Sequence, residues 1–456
     1  MTAVKDVLTA ARHADCMWTY HPDLLARPVP RYTSYPTAAE FTGAVCSSDM
    51  AGGLANLDVN ENVSLYLHIP FCREICWYCG CNTGAATRQA RLDAYVGRLH
   101  EEIDLVAAQL GGRGRVRRIA LGGGSPNAIA PTAFSALLEH VERAFRTNRP
   151  IVSVELDPRG FDRNWAAALA DAKVQRASLG VQTFDTTVQK LIGRVQPHAH
   201  IARTVELLRQ AGIESLNFDL MYGLPSQDSA VLLETLEAAV SLAPDRLAVF
   251  GYAHVPQLIP RQRRIDQTRL PGSAERFHQA ADAHAFLVAK GFQPVGFDHF
   301  ARPDDPLAVA ARRGQLRRNF QGFTDDTASC LLGVGASAIS GFPDRLVQNE
   351  KNTGKWHLAI SAGRFPVERG IYRSPGDRVR GRAIEQLLCE GKVDLASVLD
   401  QTCLRAPLLD FEQRGLLAWH GSTIVLADDA LPYARAIAAR IDAYRDQSAG
   451  RFSNAV

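Results

Sequence analysis

The sequence predicts an α/β fold built on a mainly parallel sheet. Between about residues 62 and 300, short apolar runs alternate with longer amphipathic ones, a pattern typical of strands connected by covering helices. The predicted strands are residues 63–69, 116–121, 151–156, 176–181, 215–221 and 246–252. The predicted helices lie near residues 88–110, 131–147, 162–172, 198–211, 228–241 and 274–290. Six such units are fewer than the eight of a closed barrel, which favours a partial barrel.

The segments on either side of this region have different patterns. The N-terminal segment begins with a predicted short helix and continues into residues 27–38, whose three prolines favour an extended chain. Residues 375–445 are predicted to form helices with a hairpin near residues 416–426. The expected parts are an N-terminal arm (1–45), a barrel with its extension (46–365) and a small, mainly helical C-terminal domain (366–456).

Composition is that of an ordinary globular protein. Of the 456 residues, 46% are hydrophobic and 22% are charged, and the net charge is +3. No apolar stretch approaches the ~20 residues that a membrane span needs, and no signal-peptide pattern is present. Basic residues cluster locally without forming a stripe typical of nucleic-acid binding. We therefore expect a cytoplasmic protein without membrane or nucleic-acid partners, with a monomer as the default.

The segment after the first predicted strand holds four of the nine cysteines within ten positions. Cys72, Cys76 and Cys79 have the spacing C-x-x-x-C-x-x-C, and Cys81 follows. Thiolates so placed on one tight loop can converge on a single iron–sulfur cluster. Three cysteine ligands would leave one iron of a cubane cluster open, which indicates chemistry rather than electron storage.

Two other interpretations of the cysteines are structural zinc and disulfides. Zinc sites usually combine C-x-x-C with a distant second pair of ligands, and the sequence offers no such pair. A long chain with an odd number of cysteines and no signal peptide is typical of a reducing compartment. The cluster is therefore favoured over zinc, and zinc over disulfides.

Glycine and polar residues lie where the predicted strands end. Three glycines at residues 122–124 follow the second strand and allow a ligand to approach backbone N–H groups. Glu155, Gln182 and Asp219 lie at or just after the ends of the next three strands. The carboxyl ends of parallel strands meet at one edge of a sheet, so we expect these groups and the cysteine loop to line one site.

The cysteine loop resembles the cluster motif of the radical S-adenosylmethionine superfamily. Within it, the chain is similar to the oxygen-independent coproporphyrinogen III oxidases over about residues 28–445. The features that carry this narrower resemblance are Cys81 followed by Asn82, the arm at residues 30–38, and the segments 296–305 and 318–323. The chain departs from the family pattern at Tyr78, where phenylalanine is common, and at Gly251, where asparagine is common. The resemblance implies a partial (β/α)6 barrel with the arm folded over its active site.

The resemblance also implies cofactors and residue roles. Cys72, Cys76 and Cys79 would bind a [4Fe-4S] cluster, while Cys81 and Tyr66 would be catalytic. One S-adenosylmethionine, bound to the cluster, would contact Tyr66, Gly123, Glu155 and Ile339. A second S-adenosylmethionine position would be lined by Tyr78, Gly124, Ser125, Gln182, Arg194, Asp219 and Ala253. For Cys81, a buried small residue and a proton or hydrogen donor near the radical both remain open.

The implied reaction is the oxidative decarboxylation of two propionates of coproporphyrinogen III to vinyl groups, giving protoporphyrinogen IX. A flavodoxin- or ferredoxin-type protein would donate the electron. The substrate carries four carboxylates, so arginines are expected near the mouth. The candidates are Arg31, Arg261, Arg263, Arg302 and Arg318. The alternatives are a haem chaperone-like relative, which usually has an aromatic residue in place of Cys81 and lacks the arm, and a non-catalytic zinc or iron–sulfur protein.

Overall fold

The computed structural model describes residues 18–86, 88–398 and 401–445. The short helix predicted at the start of the arm lies outside these residues. The strands, numbered in chain order, are β1 (Asn62–Ile69), β2 (Phe71–Cys72), β3 (Gly84–Ala85), β4 (Arg115–Gly123), β5 (Ile151–Leu156), β6 (Arg176–Gln182), β7 (Ser215–Tyr222), β8 (Arg246–Gly251), β9 (Gln293–Val295), β10 (His299–Ala301), β11 (Arg317–Asn319), β12 (Gly322–Thr324), β13 (Cys330–Val334), β14 (Ile339–Gly341), β15 (Arg345–Asn349), β16 (Val367–Tyr372), β17 (Lys392–Asp394), β18 (Leu417–His420) and β19 (Thr423–Leu426).

Helices connect and cover these strands. The α-helices are Pro22–Leu25, Ser47–Ala55, Gln89–Leu110, Pro131–Phe145, Arg163–Asp171, Thr186–Leu191, His198–Gln210, Ser229–Ser241, Ser273–Ala289, Pro306–Arg312, Thr353–Ser361, Pro375–Glu390, Gln401–Gln413 and Ala434–Ala438. A membrane-spanning helix is absent from the described parts of the chain, where every helix is too short or too polar for that role.

Twelve strands form one sheet, in the order β16-β15-β14-β13-β1-β4-β5-β6-β7-β8-β10-β9. Seven neighbours in this order, from β13 to β8, run parallel. Antiparallel strands extend the sheet at both sides. All six predicted strands occur within the parallel part, which confirms the α/β fold predicted from the sequence. The seventh parallel strand, β13, was not predicted.

Side chains alternate between the two faces of the parallel strands. In β1, Val63, Leu65 and Leu67 are almost completely buried in the main hydrophobic core. The intervening Ser64 lines a polar cavity of 210 Å³ on the opposite face, together with Arg118 and other strand residues. One face of the sheet therefore holds the structure together, and the other is free to carry polar groups.

The C-terminal region combines helices with a three-stranded sheet, β17-β19-β18. The hairpin β18–β19 lies where the sequence predicted one. Helix Pro375–Glu390 begins at a capping box formed by Ser374 and Asp377 and ends at Gly391, whose positive φ of 68° suits a glycine. Strand β16 lies beyond the predicted boundary at residue 365 and still pairs with β15 of the large sheet. The division into three domains stays a prediction.

The N-terminal arm packs against the last described part of the chain. The Tyr32 hydroxyl donates a hydrogen bond to Asp442 over 3.0 Å, and the backbone N–H of Ala443 donates to the Tyr35 hydroxyl over 2.9 Å. The Arg445 guanidinium donates to the Pro28 carbonyl over 2.6 Å. These contacts hold the N-terminal arm against the C-terminal region.

Candidate active site

A cavity of 570 Å³ lies where the parallel strands end. Five strands contribute a residue at or next to their C-terminal end to its lining: Gly123 of β4, Leu156 of β5, Gln182 of β6, Met221 of β7 and Gly251 of β8. Carboxyl ends of parallel strands share one edge, so the topology itself assembles this wall. The site predicted from the strand ends is therefore a real cavity.

The cysteine loop forms another part of the wall. Cys72, Cys76, Cys79 and Cys81 all line the cavity. The short strands β2 and β3 pair on either side of the loop, and the backbone N–H of Trp77 donates to the Ile192 carbonyl over 3.0 Å. The side-chain amide of Gln262 donates to the Tyr78 carbonyl over 2.8 Å. These bonds hold the thiols in place around one space.

Two arginines place positive charge on the loop. The guanidinium groups of Arg159 and Arg194 lie 3.3 and 3.2 Å from the Sγ atom of Cys76. Both arginines also pair with Asp157, at 2.6 and 3.2 Å. A cation beside a sulfur atom favours the thiolate, which is the form that binds metal. Asp157 holds the two guanidinium groups together against their mutual repulsion.

The four thiols differ in their electrostatic environment. Burial raises the pKa of Cys72 to about 12. A hydrogen bond with Cys81 lowers the pKa of Cys79 to about 6, and the same bond, with burial, raises the pKa of Cys81 well above its ordinary value. The backbone N–H of Cys81 also donates to the Cys79 sulfur over 3.4 Å, so the two residues are in direct contact.

A single metal ion and an iron–sulfur cluster require different spacings between their thiol ligands. Within the described ranges, no three His, Cys, Asp or Glu side chains are close enough to hold one metal ion. A zinc ion with Zn–S bonds of about 2.3 Å would need its sulfur ligands within about 4 Å of one another. An iron–sulfur cluster holds its cysteines on separate irons, so three thiols can be spread around one cavity.

The glycines after β4 allow close packing beside the loop. A Cβ atom on Gly124 would lie 2.5 Å from the Phe71 carbonyl oxygen, and one on Gly122 would lie 2.5 Å from the Glu155 carboxyl group. Gly123 has a φ of 111°, and its N–H donates to Glu155 Oε2 over 3.1 Å. Burial raises the pKa of Glu155 to about 7. The glycines thus let a carboxyl group and the loop approach the same strand end.

Polar groups of the next strands complete the wall. Ser178 and Asn217 donate to the two carboxyl oxygens of Asp219, over 3.0 and 2.8 Å, and burial raises the pKa of Asp219. The Nε atom of Arg194 donates to the Gly180 carbonyl over 3.1 Å. The wall therefore offers an oriented carboxyl group and a guanidinium group to a polar cofactor.

Known proteins share this sequence and this architecture. The model of the Radical SAM superfamily matches residues 66–239. The chain is 41% identical over 440 residues to an oxygen-independent coproporphyrinogen III oxidase of Bradyrhizobium diazoefficiens, covering 94% of this chain and 97% of that one. It is 34% identical over 433 residues to a Helicobacter pylori protein of the same name, covering 92% and 95%. The coproporphyrinogen III oxidase HemN of Escherichia coli, described as a Radical SAM enzyme, superimposes with a TM-score of 0.87 at 33% identity, covering 94% of this chain and 100% of that one.

The chain belongs to the oxygen-independent coproporphyrinogen III oxidase family. Membership confirms the predicted superfamily and its cofactors, a [4Fe-4S] cluster and S-adenosylmethionine. Whether this coproporphyrinogen oxidase relative binds one or two molecules of S-adenosylmethionine stays a prediction. The predicted residues that line the cavity are Cys72, Cys76, Tyr78, Cys79, Cys81, Gly123, Gly124, Glu155, Gln182, Arg194, Asp219 and Ala253.

Three of the cofactor residues predicted from the coproporphyrinogen oxidase pattern do not line the cavity, although all three are described. The Tyr66 hydroxyl lies 3.2 Å from His68 Nδ1, within the sheet. The Ser125 hydroxyl bonds to Asn127 and lines a separate cavity of 250 Å³. Ile339 begins β14. Their roles stay predictions.

Asp157 and Arg159 were not among the predicted site residues. Arg159 lies three residues past the end of β5, and no local pattern shows that it turns back toward Cys76. The nearest sequence signal is its position after a parallel strand, at the edge where active sites form. In this member of the coproporphyrinogen oxidase family, the pair Asp157–Arg159 belongs to the cysteine site.

The five candidate arginines have different positions in this coproporphyrinogen oxidase fold. Arg31 lines the cavity, and Arg261 lies at its rim, where it donates to the Thr83 hydroxyl over 2.9 Å. Arg263 is exposed, and the buried Arg318 donates to the Arg31 carbonyl over 2.9 Å. The candidate Arg302 is wrong. It follows β10, which runs antiparallel to β8, and its N–H therefore bonds to the Asp245 carbonyl at the opposite edge of the sheet.

Proposed function

We propose that this protein catalyses the oxidative decarboxylation of two propionate side chains of coproporphyrinogen III, giving protoporphyrinogen IX. Each conversion removes a hydrogen atom, one electron and carbon dioxide from a propionate and leaves a vinyl group. The observation that supports it most directly is that three cluster-type cysteines line the same 570 Å³ cavity as the polar strand ends. When bound, the cluster and S-adenosylmethionine supply a 5′-deoxyadenosyl radical that takes the hydrogen atom.

Cys72, Cys76 and Cys79 are the proposed cluster ligands. The two guanidinium groups beside Cys76 stabilise negative charge on its sulfur. On the basis of the family pattern, Cys81 is proposed as a proton or hydrogen donor near the radical and not as a fourth ligand. Tyr66 is proposed as the second catalytic residue on the basis of the family pattern alone.

S-adenosylmethionine is proposed to bind between the cysteine loop and the glycine-rich turn after β4. Gly123, Gly124 and Glu155 line the cavity there, and the absence of side chains on the two glycines leaves room for a ligand beside them. Gln182, Arg194 and Asp219 form the neighbouring part of the wall. The residue roles given earlier for Tyr66, Ser125 and Ile339 belong to this proposal as well.

The proposed environment is a cytoplasmic monomer that receives electrons from a flavodoxin- or ferredoxin-type donor. Arg264 stacks on the outer side of the loop, with its guanidinium 4.3 Å from the ring centre of Trp77. Positive charge on the outside of a cluster loop suits the docking of an acidic electron-transfer protein.

The test is anaerobic turnover. The cluster is rebuilt with iron and sulfide, and a reductant, S-adenosylmethionine and coproporphyrinogen III are added. We expect 5′-deoxyadenosine and vinyl porphyrins to appear together. Deoxyadenosine without vinyl product would place the substrate elsewhere, and an intact cluster with neither product would favour haem binding without turnover.

A further inference from the structure

A second cavity lies beside the cysteine cavity, against the end of β8. It has a volume of 60 Å³ and shares Arg31, Phe250 and Gly251 with the larger cavity. Arg276 and Arg435 also line it. A water molecule needs about 10–15 Å³ of cavity volume. This cavity is therefore large enough for a group the size of a carboxylate and too small for a pyrrole ring.

The three arginines come from three parts of the chain. Arg31 belongs to the N-terminal arm, Arg276 lies in helix Ser273–Ala289 of the barrel, and Arg435 lies in helix Ala434–Ala438 of the C-terminal region. The guanidinium of Arg31 lies 5.3 Å from the ring centre of Phe250, and that of Arg435 lies 5.3 Å from the ring centre of Phe297. The group of three arginines therefore forms only when these three parts of the chain are packed together.

Among the residues that the structure describes, three arginines line this cavity. Its lining includes one carboxylate, Asp298, which lies 2.6 Å from His299 Nδ1. Burial raises the pKa of Asp298, but the hydrogen bond with His299 and the nearby Arg318 and Arg31 outweigh burial and lower it overall. Burial lowers the pKa of Arg276, and burial with the nearby Arg31 lowers the pKa of Arg435 to about 10. Three arginines around one small cavity fit a site for an anionic ligand.

Arg276 has capacity for a ligand. Its Nε atom is buried and has no hydrogen-bond partner in the described parts of the chain. A Cβ atom on Gly251 would lie 3.0 Å from the Nη2 atom of Arg276, and one on Gly223 would lie 3.0 Å from its Nε atom. A side chain at position 251 would therefore press on Arg276. In this chain, glycine leaves that space to the guanidinium.

We propose that Arg31, Arg276 and Arg435 form a subsite for the carboxylate of a substrate propionate that is not being decarboxylated. The inference rests on the proposed function. A guanidinium binds a carboxylate through two parallel hydrogen bonds, which fixes orientation as well as position. Anchoring one propionate beside Gly251 leaves the rest of the tetrapyrrole in the larger cavity, where another propionate faces the cysteine loop. The subsite selects substrates that carry several propionates.

The test measures binding without turnover. Coproporphyrin III, the stable oxidised form with the same four propionates, is titrated into the full chain with its cluster while its absorbance is followed. We expect Arg276→Gln to raise its Kd at least about tenfold and Arg276→Lys to raise it less, because lysine keeps the charge and loses the paired hydrogen bonds. Arg302→Gln, at the opposite edge of the sheet, is the matched control and keeps the wild-type Kd.

Iron content and the Kd for S-adenosylmethionine are measured for the same variants and stay at wild-type values. Unchanged coproporphyrin affinity in Arg276→Gln overturns the subsite. Weaker binding of S-adenosylmethionine in place of coproporphyrin also overturns it, because the arginines then serve the cofactor carboxylate. If Arg276→Gln does not fold, Arg435→Gln is held to the same criteria. Wild-type protein that cleaves S-adenosylmethionine without forming vinyl product contradicts the proposed function, a result that needs no variant.

Discussion

The guanidinium of Arg194 lies 3.2 Å from the sulfur of Cys76, although the two residues are 118 positions apart in the sequence. Arg194 is almost completely buried, and its other partners are the Gly180 carbonyl and Asp157. A buried cation with these partners links β6 to the cysteine loop. The charge of the loop and the stability of the barrel therefore depend on the same side chain.

Replacing Arg194 tests this link. We expect Arg194→Gln to lower the free energy of unfolding by about 2 kcal/mol, because a charged hydrogen-bonding partner of Asp157 is lost. Formation of 5′-deoxyadenosine should slow at least about tenfold, which corresponds to about 1.4 kcal/mol. Urea denaturation and an anaerobic assay measure the two effects. The control is Arg203→Gln, which removes only an exposed ion pair with Glu206 and should change stability by less than about 0.5 kcal/mol.

The cysteines are tested by single replacement with serine. Cys72→Ser, Cys76→Ser and Cys79→Ser should each lose the cluster, because the thiolate is the ligand. Cys81→Ser should keep it, since Cys81 lies outside the C-x-x-x-C-x-x-C motif and its backbone N–H, which donates to Cys79, is retained. Iron and sulfide analysis with electron paramagnetic resonance of the reduced protein measures the result. A full cubane signal in any of the first three, or its loss in Cys81→Ser, contradicts the assignment of three ligands plus one donor.

The arm is tested by deleting residues 1–40. Cluster assembly should persist, because the cysteine loop is held by β2, β3 and Gln262. Turnover of coproporphyrinogen III should fall at least about tenfold, because the deletion removes Arg31 from the cavity wall. Iron content and vinyl product are measured on the same sample. Wild-type turnover in the deleted protein would show that the arm has no role in catalysis and is only a linker.

His284 predicts a dependence of stability on pH. Burial lowers its pKa from 6.5 to about 4, so the folded protein keeps His284 neutral where the unfolded chain is protonated. The contribution of neutral His284 to the free energy of unfolding is therefore fully present above about pH 6.5. As the pH falls toward 4, the free energy of unfolding decreases by up to about 3 kcal/mol because this contribution is lost. His284→Phe should remove this part of the slope, because phenylalanine does not titrate and fits between Trp18 and Phe300. Urea denaturation at several pH values compares the two proteins, and parallel curves would contradict the prediction.

The parallel strands were predictable because each buries one face and part of the other in apolar surroundings, which gives a local signal. Strand β13 was missed because its five residues, Cys330–Val334, include a glycine and precede a Gly-rich turn. Its place beside β1 depends on pairing between residues more than 260 positions apart, such as Val63 with Cys330. The periodicity of the sequence gives no signal for pairing between residues so far apart.

The same limit applies to the site. The cysteines and glycines were predictable because their chemistry depends on short spacing. The contacts of Arg159 and Arg276 depend on how distant elements approach one another, and nothing near them in the sequence indicates it. Arg302 was misplaced because the sequence does not show that β10 reverses direction beside β8.

The pairing of the arm with the end of the chain has a consequence during protein synthesis. Tyr32 emerges from the ribosome 410 residues before its partner Asp442, and Pro28 emerges 417 residues before Arg445. Throughout translation of the barrel, the arm therefore lacks these contacts with the C-terminal region. They form only after residues 442–445 have been made.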